Sequence, residues 1–207
     1  MSAAFKEPLN LQDPRILERQ AHTLHPGGWA VESERPVATI LGSCVAVCLY
    51  DPKRRLCGMN HFLLPKRPNQ ADDDPNVVLA GDYAMEVLVN AMLSKGCRKQ
   101  HLVAKAFGGG TVVHSLRTLI GENNARFARQ WLECEGIPLV ASDLGGNCSR
   151  KVIALPEGDV FCRRMTVPTP DLDSVVQQEI RWQERTLLEG QKGSSDPMGK
   201  EKRIELF

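Results

Sequence analysis

The chain predicts a mixed α/β domain with more strand than helix, and three observations carry that reading. Short β-branched runs bounded by Gly, Pro and Asn recur from residue 37 to residue 165. Two longer segments instead place apolar residues at three- and four-residue steps, the period of an amphipathic helix. Of the 207 residues 42% are apolar and 25% charged, a balance that buries a real core.

In chain order, residues 1–29 are polar and broken by Pro8, Pro14, Pro26 and the Gly27–Gly28 pair, and they read as an N-terminal arm. "VATILGSCVAVCLYD" (37–51) reads as strand, tight turn at Gly42–Ser43, strand. "CGMNHFLLP" (57–65) is a short strand closed by Pro65 and suited to hairpin pairing with its predecessor. "KRPNQADDDPN" (66–76) is a solvated loop. Met85, Leu88, Val89, Met92 and Leu93 define a helix over 83–93, with Gly96 as its left-handed stop. "HLVAKAF" is a strand that runs into "GGGTVV". A second helix covers 123–135 and stops at Gly136. "IPLVASDLGG", "KVIALP" and "DVFCRRM" are strands. The folded domain therefore spans 30–167. A tail follows over 168–207: a polar helix, a linker ("QKGSSDPMGKEK") and a terminal "RIELF" with the form of a short docking peptide.

Composition narrows the function. A formal net charge of +1 excludes a dominant nucleic-acid footprint. No run of 18 apolar residues exists to span a membrane, and the N-terminus lacks the apolar middle of a signal peptide, which predicts a cytoplasmic protein. Cysteines at 44, 48, 57, 97, 134, 148 and 162 are odd in number and irregularly spaced. Free thiols in a reducing compartment fit them better than a disulfide framework.

Cys44, Cys48, Cys57 and His61 have the spacing C-x3-C-x8-C-x3-H, which invites zinc. On a strand, however, Cys44 and Cys48 lie about 13 Å apart at a rise of ~3.3 Å per residue. Zinc needs both sulfurs within about 2.3 Å, normally from a tight knuckle. Packing is the plainer role for Cys48, Cys57, Cys97, Cys134 and Cys162, since free Cys behaves as a small hydrophobe. Cys44 differs because Gly42–Ser43 lets the backbone turn sharply just before it. A thiol needs a partner to ionise at neutral pH, and an imidazole is the usual one. His61 is close in sequence and on a strand that can pair with that of Cys44. A Cys–His pair and a buried cysteine both remain open on residue types alone. His22 and His25 lie in the arm, His101 at a strand start, and His114 on an apolar face. "FGGGTVV" lacks the marks of a phosphate cradle and is read as allowing close backbone packing against the reactive region.

These segments together resemble the CheD family of chemoreceptor glutamine deamidases. "TILGSCVAVCLYDP" is similar to the family's cysteine segment, "GMNHFLLP" to its histidine segment and "KAFGGG" to its glycine block. "IGENNARFARQWLECEGIPLVASDLGGNCSRKV" follows the family through helix, strand and turn, so the likeness covers roughly residues 25–166. The resemblance implies that Cys44 is a nucleophile, His61 its base and Thr39 a third polar member. In some members that third position falls one residue earlier, which is Ala38 here. Backbone amides at Gly42–Ser43–Cys44 would hold the oxyanion, with no metal and no organic cofactor. It also implies a layered α/β domain with a central β-sandwich-like core and outer helices, similar to the catalytic domain of the cytotoxic necrotizing factor toxins. The implied substrates are glutamines of methyl-accepting chemotaxis receptors, and a CheC-type phosphatase is a further implied partner. A non-catalytic module docking on receptors or on that phosphatase is the alternative.

Overall fold

The computed structural model describes residues 9–65, 80–111 and 120–165, and beyond them Gln177 and Arg181 as single helical positions. Its elements in chain order are α1 (Pro14–Gln20), β1 (His22–Thr23), β2 (Trp29–Glu32), β3 (Val37–Leu41), β4 (Val45–Asp51), β5 (Leu56–Asn60), α2 (Gly81–Ser94), β6 (Val103–Gly108), α3 (Ile120–Cys134), β7 (Leu139–Leu144), β8 (Ser149–Ala154) and β9 (Val160–Met165). Mixed α/β character with more strand than helix is what the sequence predicts.

The layering follows from β4, a strand that is apolar on both faces. Val45, Val47 and Leu49 pack with Leu88 and Met92 of α2 and with Ala128 and Leu132 of α3. Ala46 and Cys48, pointing the other way, pack with Val37 and Leu41 of β3 and with Val152 and Ala154 of β8. A strand covered on both sides reads as an unbroken apolar run instead of an alternating one, which is why "VAVCL" has no polar member.

Two sheets result, in strand orders β1-β3-β8-β9 and β2-β5-β4-β6-β7. The first carries α1 on its outer face, where Leu17 packs against Ala38, Ile153 and Leu155. The second carries α2 and α3. Pairings are antiparallel except β1 with β3 and β6 with β7, the latter bridged by the α3 crossover. The hairpin expected between 37–51 and 57–65 forms as β4–β5, with Cys48 opposite Met59 and Asp51 opposite Leu56. Its turn is held by Asp51, whose Oδ1 accepts the backbone N–H of Lys53 at 2.9 Å and of Arg54 at 3.3 Å.

Several boundaries differ from the sequence reading. α3 begins at Ile120, three residues before the expected start, and α2 begins at Gly81. Gly96 does terminate α2 in the left-handed region, at φ +84°. From Leu9 onward the stretch read as an arm is built into the domain. Asp13 caps α1 by accepting from Arg15 N at 2.8 Å, Leu17 and Leu24 are buried, and β1 pairs with β3. Elements of seven and two residues leave too short a periodic trace to be seen in sequence. The "KRPNQADDDPN" loop, His114, the linker and "RIELF" lie outside the described residues, as does the 171–190 helix apart from Gln177 and Arg181. No helix among the described residues is long and apolar enough to cross a membrane.

Leu88 is fully buried between α2 and the second sheet. Leu88→Ala is therefore expected to cost about 2–5 kcal/mol, read as a lower urea midpoint at unchanged m-value.

Candidate active site

Gly42 and Ser43 carry the chain from β3 in one sheet to β4 in the other, so Cys44 lies where the two sheets meet. Both flanking strands belong to the core, and Cys44 is itself fully buried. Its segment is gripped by the glycine block. Gly109 N donates to the Cys44 carbonyl at 2.7 Å, and Gly110 N to the Gly42 carbonyl at 2.8 Å. At Gly108, φ is +107° and a Cβ would stand 2.2 Å from the Cys44 carbonyl oxygen. Only glycine permits that approach, so the block packs backbone against the cysteine segment as the sequence suggests.

His61 follows β5 directly. The β4–β5 register continues through a bridge between Val45 and Phe62. That register sets Cys44 opposite Leu63 and Ala46 opposite His61, so Cys44 and His61 are diagonal neighbours on one face. Such neighbours have Cα atoms about 7–8 Å apart, within reach of longer side chains. The face is the one turned toward the first sheet, since Ala46, Met59 and Leu63 belong to the intersheet cluster. The His61 backbone is fixed on both sides: its N–H donates to Gly28 O at 3.0 Å and its carbonyl accepts from Gly27 N at 2.8 Å.

Thr39 reaches the same space from β3. Val37 and Leu41 face the intersheet cluster, whereas Ala38 packs under α1. The strand period then sends Thr39 inward and Ala38 outward. The Thr39 hydroxyl lies 2.9 Å from the Leu24 carbonyl and 2.8 Å from His61 Nδ1. A carbonyl can only accept, so the single hydroxyl proton goes to Leu24, and His61 Nδ1 must be the donor to Thr39. His61 is thus the Nδ1–H tautomer, with its lone pair on Nε2. That nitrogen is buried with no hydrogen-bond partner among the described residues. Burial pushes the imidazole down to about 3, with nearby His25 adding to the effect, so His61 is neutral at physiological pH. A cleft of about 250 Å³ reaches Thr39 and His61 between Leu24, His25, Pro26, Ile40 and Lys151.

Four of the other thiols, Cys48, Cys57, Cys97 and Cys162, are held in their protonated form. Burial pushes Cys48 well up and Cys57 to about 12. Cys97 rises to about 11 through burial and Asp51, and Cys162 to about 11 through burial and Asp143. Cys134, expected to pack, is exposed at the end of α3. Among the described residues no cluster of three or more His, Cys, Asp or Glu is placed to hold a metal ion, the Cys44–Cys48–Cys57–His61 set included.

Two further groups organise the surroundings and escaped the sequence reading. Arg150, 2% exposed, donates to Cys148 O at 3.1 Å, to Gly145 O at 2.5 Å and to Asp143 Oδ1 at 2.9 Å. Arg164 and Arg150 hold the Asp143 carboxyl below the usual carboxylate range. The turn so fixed accepts Thr111 N at Gly146 O, 2.7 Å away, just after the glycine block. Asn124 of α3 is fully buried and donates to Ser43 O at 3.0 Å and to Leu63 O at 2.8 Å. Its signal in the sequence is a polar residue at a core-facing step of an otherwise amphipathic helix, with Gly121, Ala125, Ala128 and Leu132.

Fold and site together define a two-sheet α/β protein with a cysteine, a histidine and a threonine converging where the sheets meet. A family model described as CheD chemotactic sensory transduction matches residues 63–164. A protein of Dechloromonas aromatica named probable chemoreceptor glutamine deamidase CheD 2 is 49% identical over 92% of this chain and 95% of its own length. A Burkholderia thailandensis protein of the same name is 47% identical over 73% of this chain and 79% of its own. Probable chemoreceptor glutamine deamidase CheD 1 of Shewanella oneidensis is 44% identical over 74% and 76% respectively. The chain belongs to the CheD family. Among solved structures, the Bacillus licheniformis hypothetical protein YfiH aligns with 60% of this chain and 59% of its own at TM-score 0.37 and 14% identity.

The depressed His61 value fixes a sign for acid stability. Folded His61 stays neutral down to about 3, whereas in the unfolded chain it takes a proton near its ordinary ~6.5. Acidification from about 6.5 toward 3 therefore favours the unfolded state. His61→Gln should flatten the loss of unfolding free energy over that window, measured by urea titrations at successive pH values. Equal slopes for variant and parent would contradict it.

Proposed function

We propose that this chain is a cytoplasmic protein-glutamine deamidase that converts glutamines of chemoreceptor cytoplasmic domains to glutamate. The observation that supports it most is the Leu24–Thr39–His61 chain of hydrogen bonds. It leaves the basic Nε2 on the sheet face that Cys44 shares. Family membership supplies the substrate class, since the relatives carry the name chemoreceptor glutamine deamidase.

In this mechanism neutral His61 takes the Cys44 thiol proton on Nε2 as sulfur attacks the glutamine side-chain carbonyl. Because burial disfavours imidazolium, proton transfer accompanies bond formation and no thiolate–imidazolium pair is stored beforehand. Backbone amides of Ser43 and Cys44 face the developing oxyanion. Collapse of the tetrahedral adduct breaks the C–N bond, and His61 returns the proton to the departing ammonia. A γ-glutamyl thioester remains on Cys44. Water then enters, gives a proton to His61 and attacks the thioester, releasing glutamate and restoring the thiol. The 250 Å³ cleft at Thr39 and His61 offers a route to the buried pair. Thr39 acts through His61 as a positioning residue. No metal and no organic cofactor enters the scheme.

Two sheets facing each other across the cysteine and histidine also suit the likeness to the cytotoxic necrotizing factor catalytic domain, which we include in the proposal. A CheC-type phosphatase belongs to it as a second partner. Docking on receptors without turnover is the competing reading.

Cys44→Ala and His61→Ala should each fold yet release no ammonia from a purified receptor cytoplasmic domain. Parent-like release from either variant sinks the deamidase reading, and full rescue of chemotaxis by Cys44→Ser in a deletion strain favours docking alone. Thr39→Val keeps the shape and removes the acceptor for Nδ1–H. Its kcat should fall by about 10²-fold, within the range typical of acid–base assistance, and the buried groups it leaves unpaired should also lower stability by about 1–3 kcal/mol.

A further inference from the structure

Asn124 touches neither member of the Cys–His pair, yet it is bonded to the segment of each. Its one NH2 group has two hydrogens and two acceptors: the Ser43 carbonyl, one residue before Cys44, and the Leu63 carbonyl, two residues after His61. The amide orientation is settled by this pair, because the reverse assignment would press Oδ1 against two carbonyl oxygens. Oδ1 itself is buried without a hydrogen-bond partner among the described residues. A buried acceptor left unpaired is costly, and the cost is borne at a site where both donors go to the reactive segments.

The consequence lies in the peptide planes. All peptide bonds among the described residues are trans, so the C=O and N–H of one peptide point in opposite directions. Fixing the Ser43 carbonyl toward α3 aims the Cys44 N–H away from α3. Gly110 N does the same for the preceding peptide by holding the Gly42 carbonyl, which aims the Ser43 N–H. The second Asn124 bond ties Leu63, which faces Cys44 across the register, to the same side chain.

We propose that Asn124 is a positioning residue that clamps the Ser43–Cys44 peptide to the His61–Leu63 strand end, setting both the oxyanion donor and the sulfur-to-imidazole alignment. The proposal rests on the deamidase reading for its kinetic consequence, though not for its chemical one. An aligned donor acts only on charge that develops during reaction, so its loss lowers kcat and leaves KM alone.

The test uses Asn124→Ala and Asn124→Asp in the full chain, the second keeping shape but offering at most one hydrogen to two carbonyls. Two readouts are taken: kcat and KM for ammonia release from a receptor cytoplasmic domain, and the rate of Cys44 alkylation by iodoacetamide against exposed Cys134 in the same molecule. We expect kcat to fall about 10- to 100-fold with KM held within about twofold, somewhat less than the ~10²–10³ for deleting an oxyanion donor. Cys44 alkylation should slow about tenfold relative to Cys134, a change that follows alignment of the pair. A variant with lowered thermal stability but parent-like kcat and Cys44 alkylation would make Asn124 merely structural and overturn the proposal, as would failure of both variants to fold. The two readings separate cleanly. If the parent releases no ammonia while Cys44 alkylation still slows in the variants, the deamidase reading falls and the clamp stands. If the parent is active and the variants keep both its kcat and its Cys44 alkylation rate, the reverse holds.

Discussion

The site depends on one hydroxyl group. Thr39 donates to the Leu24 carbonyl and, having only one proton, must accept from His61 Nδ1. That single choice fixes the imidazole tautomer and leaves the buried Nε2 as the basic atom. Burial then keeps the ring neutral, so the histidine is available to take a proton and not already charged. Everything around it fixes the geometry. The Leu24 carbonyl is placed because Leu24 N bonds to Ala38 O at 2.8 Å, and the His61 backbone is placed by Gly27 and Gly28.

The two-sheet layering makes this arrangement available. Cys44 and His61 come from adjacent strands of one sheet, and Thr39 comes from the facing sheet, only five residues before Cys44. Gly42–Ser43 is the crossing that lets one short segment contribute to both walls. The crossing is held at its carbonyls: Gly42 by Gly110, Ser43 by Asn124, Cys44 by Gly109. The glycine block, the start of α3 and the cysteine turn therefore behave as one packed unit. The buried Arg150 fixes the Gly145–Cys148 turn beside it.

Much of this was legible in the sequence, and the limits have physical causes. Cys44 and His61 stand out because a Gly–Ser turn precedes one and a pairing strand carries the other. The direction of the Thr39 side chain depends on which face of the β3–β8 pair turns toward the second sheet, the face Thr39 shares with its partner Val152. No local pattern encodes that, so Thr39 and Ala38 could not be told apart by inspection. Asn124 depends on how α3 docks on a sheet eighty residues earlier in the chain. α1 and β1 are too short to leave a periodic trace, and their burial comes from tertiary contact. Cys134 shows the converse: its residue type suggests packing, but it falls at the exposed end of its helix.

The central claim is a protonation state, and it is directly observable. Protein labelled with ¹⁵N in its histidine rings gives long-range ¹H–¹⁵N correlations that distinguish the two neutral tautomers and the imidazolium. The account predicts that His61 remains neutral from about pH 5 to 8, with its proton on Nδ1, across the range where an ordinary histidine titrates. A proton on Nε2, or an imidazolium forming near pH 6.5, would contradict it.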